Sequence, residues 1–364
     1  MRIVLLLILI VHGLIHLLGF VKAFRFFDVK QLTQNISKHF GVLWILTFVL
    51  LIIATILFAF KNDYWWAIAF IAVFASQVLI IYFWKDAKFG TIANVMIFVA
   101  SFIGYETWSY YEKYINDVKH SLQQKEYSQN TMLTETDIQQ LPEAIKKYIR
   151  YTGCINKPKV NNFKIEFSGK IRKNEQSEWM PFTSEQYNFM AEPTRLFFMK
   201  AVMKHLPVAG YHCFKNGIAF MDIRLFSLFK VQFQKGTEMD MAETVTFFND
   251  MCCMAPATLI DKRISWSEKD KNTVTATFTN KGISITADLY FNNKGELVNF
   301  ISNDRYAADA GKKLQWATPL KNYKEINGYK LAGYAEAIYS YPDRDLCYGT
   351  FDVVSIKYNC YDYE

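Results

Sequence analysis

Charge is missing from long stretches of the first 105 residues. Four segments contain no Asp, Glu, Lys or Arg at all, namely residues 3–21, 40–60, 64–84 and 89–105. Each is close to the ~20 apolar residues that a helix needs to cross the ~30 Å hydrocarbon core of a bilayer. A helix suits that environment because it satisfies every backbone N–H and C=O internally. The missing charge therefore predicts four membrane spans and excludes a purely water-soluble chain.

After Glu106 no such apolar run recurs, and most of the 41 basic and 34 acidic residues lie there. Basic and acidic side chains are interleaved, so the sequence lacks the basic stripe that a nucleic-acid-binding protein carries. We expect no nucleic-acid partner. The net charge of +7 is explained either by a solvated surface or by contact with anionic lipid.

Known catalytic motifs are also missing. The chain has no Gly-x-Ser-x-Gly elbow, no His-Glu-x-x-His, no P-loop and no Gly-x-Gly-x-x-Gly, which are the patterns of common hydrolases, metalloproteases and nucleotide-binding enzymes. Carboxylates are scattered, although two of them could converge from distant strands as in glycosidases. We predict no catalytic residue, and a binding role is favoured over an enzyme.

Cysteine is absent from the first 153 residues. None of the six cysteines forms a Cys-x-x-Cys pair or stands at zinc-like spacing to a histidine. The sequence therefore predicts no metal site and no cofactor, and it leaves the disulfide state open. The six are Cys154, Cys213, Cys252, Cys253, Cys347 and Cys360.

Two histidines stand inside the first apolar segment. His12 and His16 are four residues apart, so they project from one face of a helix. Ionisable residues in spans suggest a proton relay, a metal or haem site, or a quinone contact. The alternative is structural: neutral imidazoles hydrogen-bond across helices while Gly13 and Gly19 permit close packing. The structural interpretation is favoured, with three candidate partners: Gln77, Asn94 and Ser101.

The short loops predict an orientation. The loops at residues 22–39 and 85–88 carry most of the basic residues near the spans and lie on the same side. The positive-inside rule makes that side cytoplasmic. We therefore predict a multi-pass protein of the bacterial inner membrane whose C-terminal domain is extracytoplasmic, with membrane lipids as partners.

A helical connector is expected over residues 106–158. Residues 106–123 continue the fourth helix, since charges appear without a Gly or Pro break, and residues 124–134 are typical of a linker. A short amphipathic helix opens at Leu141-Pro142, and Gly153 is a plausible C-terminal cap.

From Val160 the apolar period changes to two, which predicts half-buried strands. Asn216-Gly217 is a hairpin signal because both residues accept positive φ. The strands are predicted at 163–169, 182–190, 194–203, 208–214, 217–224, 228–234, 262–268, 272–279, 283–291, 297–303, 313–318, 330–340 and 348–358.

One long helical pattern interrupts the strands. Apolar residues recur every three or four positions from Thr237, and Pro256 should end the helix at about residue 255. The predicted fold is a multi-pass α-helical membrane block (1–105) and a connector (106–158), followed by an α+β domain (159–364). That domain is a curved antiparallel sheet or half-barrel with one long covering helix.

Several short pieces recur in a characteristic order over roughly residues 135–360. They are Leu141-Pro142, Tyr148-Ile149, Gly153, Gly169, Trp179-Met180-Pro181-Phe182, Glu243, Phe247-Phe248, Pro256, Leu259, Trp266, Asp304-Arg305-Tyr306, Trp316, Tyr323, Gly328 and Tyr358-Asn359. Their order resembles an uncharacterised bacterial family of unknown function, in which N-terminal spans precede a β-rich domain. The chain departs from that family at Asp250, where Glu is usual. By shape alone, the layout is also similar to the periplasmic lipoprotein-carrier half-barrel.

The leading hypothesis is a membrane-anchored extracytoplasmic binding protein for a lipid or other apolar ligand. The strands are rich in Phe, Met and Tyr, which form either a packed core or the wall of an apolar pocket. Alternatives are a redox or proton-linked role of His12 and His16, or an envelope interaction or sensor module with unknown protein partners. A further possibility is that Arg305 pairs with Glu243 or Asp250 and holds the helix on the sheet. The predicted ligand-binding residues are Trp179, Glu243, Asp304, Arg305 and Trp316.

Overall fold

The computed structural model describes residues 2–123, 131–307 and 310–363. Backbone contacts divide the chain into two compact units, Met1–Glu112 and Lys113–Glu364. The predicted linker at 124–134 falls mostly on residues 124–130, which lie outside the described residues. The predicted three-part division at residues 105 and 158 stays a prediction.

The first unit is helical. Four of its helices are long and apolar enough to cross a membrane, and each overlaps one of the charge-free segments. The last of them continues past Glu106 without a break, as the sequence predicted. The helices are α1 (Arg2–Ala23), α2 (Lys38–Ala59), α3 (Trp65–Tyr82), the short α4 (Trp84–Ala87) and α5 (Gly90–Gln123).

Two glycines allow close contact between helices α1 and α2. A Cβ atom on Gly19 would lie 2.1 Å from Cδ2 of Trp44, and one on Gly41 would lie 2.5 Å from Cβ of Ala23. Small residues allow such close approach between helices in lipid, where dispersion contacts replace the hydrophobic effect. The glycine of α1 therefore makes room for the indole of Trp44.

Two helices of the second unit match the sequence pattern. Helix α6 (Glu143–Tyr151) is followed by Gly153 at φ +71°, the left-handed conformation expected of a C-terminal cap. Helix α7 (Thr237–Met254) ends just before Pro256, which begins a short 3-10 helix. The proline lacks the N–H that would continue α7.

The second unit is built on one antiparallel sheet of 13 strands, with β6 and β7 at its two edges. Because these edges do not pair with each other, the sheet is curved but open. Its order is β6-β5-β4-β3-β2-β1-β15-β14-β13-β10-β9-β8-β7, and β11 pairs with β12 in a separate two-stranded sheet. The strands are β1 (Asn162–Ile171), β2 (Met180–Phe189), β3 (Thr194–Met203), β4 (Leu206–Lys215), β5 (Ile218–Leu225), β6 (Phe229–Lys235), β7 (Ile264–Asp270), β8 (Thr273–Asn280), β9 (Ile283–Phe291), β10 (Leu297–Ser302), β11 (Tyr306–Ala307), β12 (Lys312–Lys313), β13 (Gln315–Ile326), β14 (Tyr329–Ser340) and β15 (Asp345–Tyr358).

The hairpin predicted at Asn216-Gly217 is confirmed, with φ values of +56° and +76°. Strand β13 is longer than predicted: it runs through Ile326 instead of ending at residue 318. The part beyond residue 318 contains Pro319 and the polar run Lys321–Lys324, which hide the period-two pattern.

Helices cover both faces of the sheet. We call the face against α7 the inner face, where Phe248 of α7 stacks on Phe278 at 5.3 Å between ring centroids. On the outer face, Tyr114 of α5 lies 5.5 Å from Phe198 and 5.7 Å from Tyr211. The half-barrel with one long covering helix is confirmed, and residues Lys113–Gln123 of α5 add a cover on the outer face that the sequence did not predict.

Candidate functional site

Polar side chains interrupt the apolar inner face at two neighbouring strands. Gln186 and Asn188 are two residues apart on β2, so both point toward α7. Arg195 of β3 lies directly opposite Asn188 in the register. Strand alternation therefore places two amides and one guanidinium side by side beneath the helix.

Helix α7 presents two carboxylates to this group. Glu243 and Asp250 are seven residues apart, which is about two helical turns, so they share one face. Arg195 pairs with both: its Nη1 lies 3.1 Å from Oε2 of Glu243, and its Nε lies 2.8 Å from Oδ2 of Asp250. One cation thus connects two turns of α7 to the sheet.

The amides complete the arrangement. Gln186 and Asn188 donate to Oδ2 of Asp250 at 2.7 and 3.0 Å, and Arg195 donates to Oε1 of Gln186 at 3.0 Å. We call these five residues, Gln186, Asn188, Arg195, Glu243 and Asp250, the Arg195 cluster. The side chains of Arg195, Glu243 and Asp250 are 9%, 2% and 4% exposed, so the cluster is buried.

Burial and charge act differently on the two carboxylates. Burial disfavours the charged form of Glu243, but Arg195, His212 and Arg305 together outweigh it and lower its pKa to about 2. For Asp250, burial dominates and raises the pKa, against the opposing field of Arg195. Glu243 is therefore the firmly ionised member of the pair.

A second polar contact fixes α7 farther along the inner face. Arg305 donates to Oγ1 of Thr246 on α7 at 3.3 Å and to the hydroxyl of Tyr339 on β14. Its guanidinium carbon lies 4.7 Å from the ring centroid of Trp316, a cation–π contact. The indole N–H of Trp316 donates to Tyr348 at 3.1 Å.

Comparison with known protein families gives one match across most of this unit. A family of unknown function, DUF6544, matches residues 131–351. The chain belongs to this family. The family resemblance drawn from the motifs is thereby confirmed. No curated protein matches the chain.

Three solved structures similar to the chain share 8 or 9% identity with it. One is a putative outer membrane lipoprotein-sorting protein domain from Vibrio parahaemolyticus (TM-score 0.35, 9% identity, 56% of this chain and 88% of that one). A LolA superfamily protein from Nitrosomonas europaea has a TM-score of 0.34 and 8% identity, over 60% and 92%. A DUF1329 family protein from Desulfovibrio piger has a TM-score of 0.35 and 8% identity, over 59% and 92%.

Three of the five predicted ligand-binding residues meet on the inner face of the DUF6544 unit. Glu243 belongs to the Arg195 cluster, and Arg305 with Trp316 forms the second contact. Asp304 lies apart, accepting from the N–H of Thr286 at 2.8 Å and pairing with Lys313. Trp179 is also apart, in the loop between β1 and β2.

The ion pair predicted for Arg305 is made by a different residue. Both carboxylates pair with Arg195, while Arg305 reaches α7 through Thr246 and contributes its charge to the field at Glu243. Arg195 was not among the predicted site residues, because it stands at the start of a predicted strand, beside the apolar run Leu196–Met199. Strand alternation could have indicated it, because Arg195 stands two residues before Phe197 in a predicted strand and therefore points to the same face.

The buried atoms of the inner face that have no hydrogen-bond partner among the described residues include two hydroxyl oxygens. They are Oγ of Ser184 on β2 and Oγ1 of Thr318 on β13, both buried. Ser184 lies opposite Met199, and Thr318 lies opposite Phe300, both in the apolar core. Buried hydroxyls are normally hydrogen-bonded, so these two are exceptions within the described core.

In the first unit, the predicted histidine pair is built into a cross-helix network. Nε2 of His12 lies 2.8 Å from Oδ1 of Asn94 and 3.1 Å from Oγ of Ser76, and Asn94 in turn donates to Gln77 at 3.0 Å. Nδ1 of His16 donates to the carbonyl of His12 at 2.9 Å. Within residues 2–123, 131–307 and 310–363, no group of three His, Cys, Asp or Glu residues is placed to hold a metal ion.

Proposed function

We propose that this protein is a membrane-anchored binding protein for a lipid or another apolar ligand, and that the inner face under α7 is its binding surface. One observation carries the proposal. An open, curved sheet presents an apolar wall to a single helix, and buried polar contacts attach that helix to the wall.

The wall suits an acyl chain. On β3, Phe197, Met199 and Ala201 alternate toward the inner face and are all buried in the main apolar core. Each buried methylene contributes roughly 0.8 kcal/mol, so about ten of them amount to roughly 8 kcal/mol. Before the costs of immobilisation, that corresponds to a Kd of about 1 μM.

Polar groups on the same wall can orient such a ligand. Binding sites for apolar molecules carry a few placed polar groups that fix direction and specificity. Here Ser184 and Thr318 carry hydroxyls, and Arg305 carries a guanidinium group whose hydrogen-bond partners Thr246 and Tyr339 are uncharged. A ligand with an ester, hydroxyl or carboxylate head fits this chemistry.

We place the first unit in the bacterial inner membrane and the second unit on its outer side. The apolar helices support the membrane location by length and composition. The basic loops at 22–39 and 85–88 support the orientation.

Native mass spectrometry of the full chain tests the proposal. We expect lipid to remain bound after gentle release from detergent, and Ala201→Trp to abolish that binding by filling the inner face. Ile218→Trp is the matched control, because Ile218 is 68% exposed. A thermal melt checks that Ala201→Trp folds, and titration of delipidated wild type with a fluorescent palmitate analogue gives a second readout. Absence of bound lipid together with no response to the analogue would refute the proposal.

A second candidate function rests on His16. Its Nε2 is buried without a hydrogen-bond partner among the described residues, and so is Nε1 of Trp44. These atoms favour a proton-linked or quinone-contacting role for the first unit. Quinone that co-extracts with the wild type and is lost in His12→Ala/His16→Ala would support it, and equal quinone in both would remove it.

A further inference from the structure

Arg305, which follows β10, has no ion-pair partner among the described residues. Its guanidinium is always charged and carries five N–H donors. Nε donates to Oγ1 of Thr246 at 3.3 Å, Nη1 donates to the hydroxyl of Tyr339, and Nη2 makes no hydrogen bond within the described part of the chain. The side chain is partly exposed, unlike that of Arg195. Its charge is therefore left for a group that the fold does not supply.

The two groups that accept from Arg305 do not balance its charge. The hydroxyl of Thr246 donates to the carbonyl of Ala242 at 2.9 Å, and the hydroxyl of Tyr339 donates to the carbonyl of Tyr306 at 3.1 Å. Both hydroxyls are neutral, and both use their one hydrogen on the backbone. A cation drawn out of bulk water is costly unless an opposite charge compensates it.

Three acidic side chains of this region each have another partner. The charge of Glu243 acts on Arg305, but its two oxygens lie 3.1 Å from Nη1 of Arg195 and 3.6 Å from Nδ1 of His212. The other two pairs are Asp304 with Lys313 at 3.0 Å, and Glu238 with the hydroxyl of Tyr306. These carboxylates therefore leave the guanidinium of Arg305 without a direct counter-ion.

A second donor lies beside Arg305. The hydroxyl oxygen of Tyr348 accepts from the indole N–H of Trp316 at 3.1 Å, and its own O–H has no acceptor among the described residues. The ring of Tyr348 stacks on that of Tyr339 at 5.3 Å, while the guanidinium of Arg305 lies 4.7 Å from the ring centroid of Trp316. Arg305 and Tyr348 thus border the same two rings, and both can donate to one group placed between them.

These donors stand where the aromatic packing of the inner face ends. The ring of Trp316 lies 6.1 Å from that of Phe300, which in turn lies 5.8 Å from that of Phe248 on α7. Thr318, two residues after Trp316 on β13, carries one of the buried hydroxyls without a partner among the described residues. The head of an apolar ligand on the inner face would meet Arg305 and Tyr348 here.

We propose that Arg305 and Tyr348 bind an oxyanion, the carboxylate or phosphate head of the apolar ligand, so that the ligand is an anionic amphiphile and not a neutral lipid. This inference rests on the proposed function, because it assigns a head-group site to the same inner face. An oxyanion accepts charge-assisted hydrogen bonds and neutralises the guanidinium, which an ester or an alcohol does not. Arginine suits this role because its planar fork matches the geometry of carboxylate and phosphate.

Competition for a fluorescent palmitate analogue on the full chain, in a neutral detergent, tests this. The competitors are palmitate, hexadecyl phosphate, methyl palmitate and inorganic phosphate. We expect both anionic amphiphiles to displace the analogue at concentrations at least about tenfold lower than methyl palmitate, because a hydrogen bond to a charged group is worth that factor or more. Inorganic phosphate should displace nothing, because it lacks the acyl chain. A difference between palmitate and hexadecyl phosphate identifies which oxyanion the site prefers.

Substitutions assign the preference to the two donors. Arg305→Met should bring the ratio of the displacing concentrations close to one, and Arg305→Lys should restore part of it by returning the charge. Tyr348→Phe removes a single oxygen and should reduce the ratio severalfold, so it carries the test even where Arg305→Met fails to fold in a thermal melt. Arg150→Met is the matched control, because Arg150 already pairs with Glu135 at 2.7 Å and is 48% exposed.

The results separate this inference from the proposed function. Equal displacement of the wild type by palmitate and methyl palmitate would overturn the inference and leave the proposed function intact. A preference that persists in both Arg305→Met and Tyr348→Phe would also overturn it, as would displacement by inorganic phosphate at the concentration at which hexadecyl phosphate acts. A wild type that binds neither the analogue nor any amphiphile would refute the proposed function and the inference with it.

Discussion

Arg195 pairs with two carboxylates, Glu243 and Asp250, in the interior of the second unit. Taking ions out of water costs several kcal/mol each, so such clusters often contribute little net stability. Their contribution is to position α7, because Glu243 and Asp250 can both pair with one guanidinium in only one placement of the helix. The cluster thus fixes the helix that covers the proposed binding surface.

Removing the shared cation should therefore be costly. Arg195→Met leaves both carboxylates buried without their ion pair, and we expect the free energy of unfolding to fall by about 3–5 kcal/mol. Urea denaturation of the full chain, followed by tryptophan fluorescence, measures it. Lys262→Met, at an exposed position, is the control. An unchanged midpoint for Arg195→Met would mean that the cluster does not hold α7.

The cluster also predicts a pH dependence. The pKa of Glu243 is lowered from 4.5 to about 2, so its contribution is complete above about pH 4.5 and is lost as pH falls toward 2. This shift amounts to roughly 3 kcal/mol. Glu243→Gln should flatten the loss of stability over that range. Equal slopes for the variant and the wild type would contradict the assignment.

The sequence pointed to some of the residues that lie together on the inner face, and their role in ligand binding stays a prediction. Glu243, Arg305 and Trp316 were found through family-like pieces and do meet on the inner face. Arg195, Gln186 and Asn188 were not, because which side chain pairs with α7 depends on strand register. Strand register is set by tertiary packing and cannot be read from the local spacing of residues.

At the scale of elements, periodicity predicted most of the fold. Apolar runs placed the long helices of the first unit, period two placed most strands, and Pro256 placed the end of α7. The part of β13 beyond residue 318 was not predicted, because Pro319 and polar residues mask its alternation. The packing of α5 on the outer face was not predicted, because the sequence does not indicate what Tyr114 and Val118 will contact.

Packing between α1 and α2 gives an element-scale prediction. Gly19→Ala should lower the melting temperature of the detergent-solubilised protein, because the new methyl would overlap the buried indole of Trp44. Gly13→Ala makes the same chemical change on the same helix, but its nearest neighbour is 3.4 Å away, at Cβ of Leu51. We expect it to be nearly neutral. Equal melting temperatures for the two variants would argue against the α1–α2 packing.

At the scale of the whole molecule, the chain combines four apolar helices with an open sheet whose inner face is apolar and helix-covered. Under the proposed function, anchoring through these helices would keep the protein at its lipid supply. Membership of DUF6544 assigns no activity to the chain, so the proposed function rests on the geometry of this sheet.

Photo-crosslinking with a diazirine-bearing fatty acid tests the central claim most directly. Neighbouring residues of β3 point to opposite faces, so the pattern of labelled residues reports which face holds the ligand. We predict adducts on Phe197 and Met199, competed by unlabelled palmitate, and none on Phe198, which packs against Tyr114 on the outer face. Adducts confined to the outer face or to α1–α3 would contradict the account.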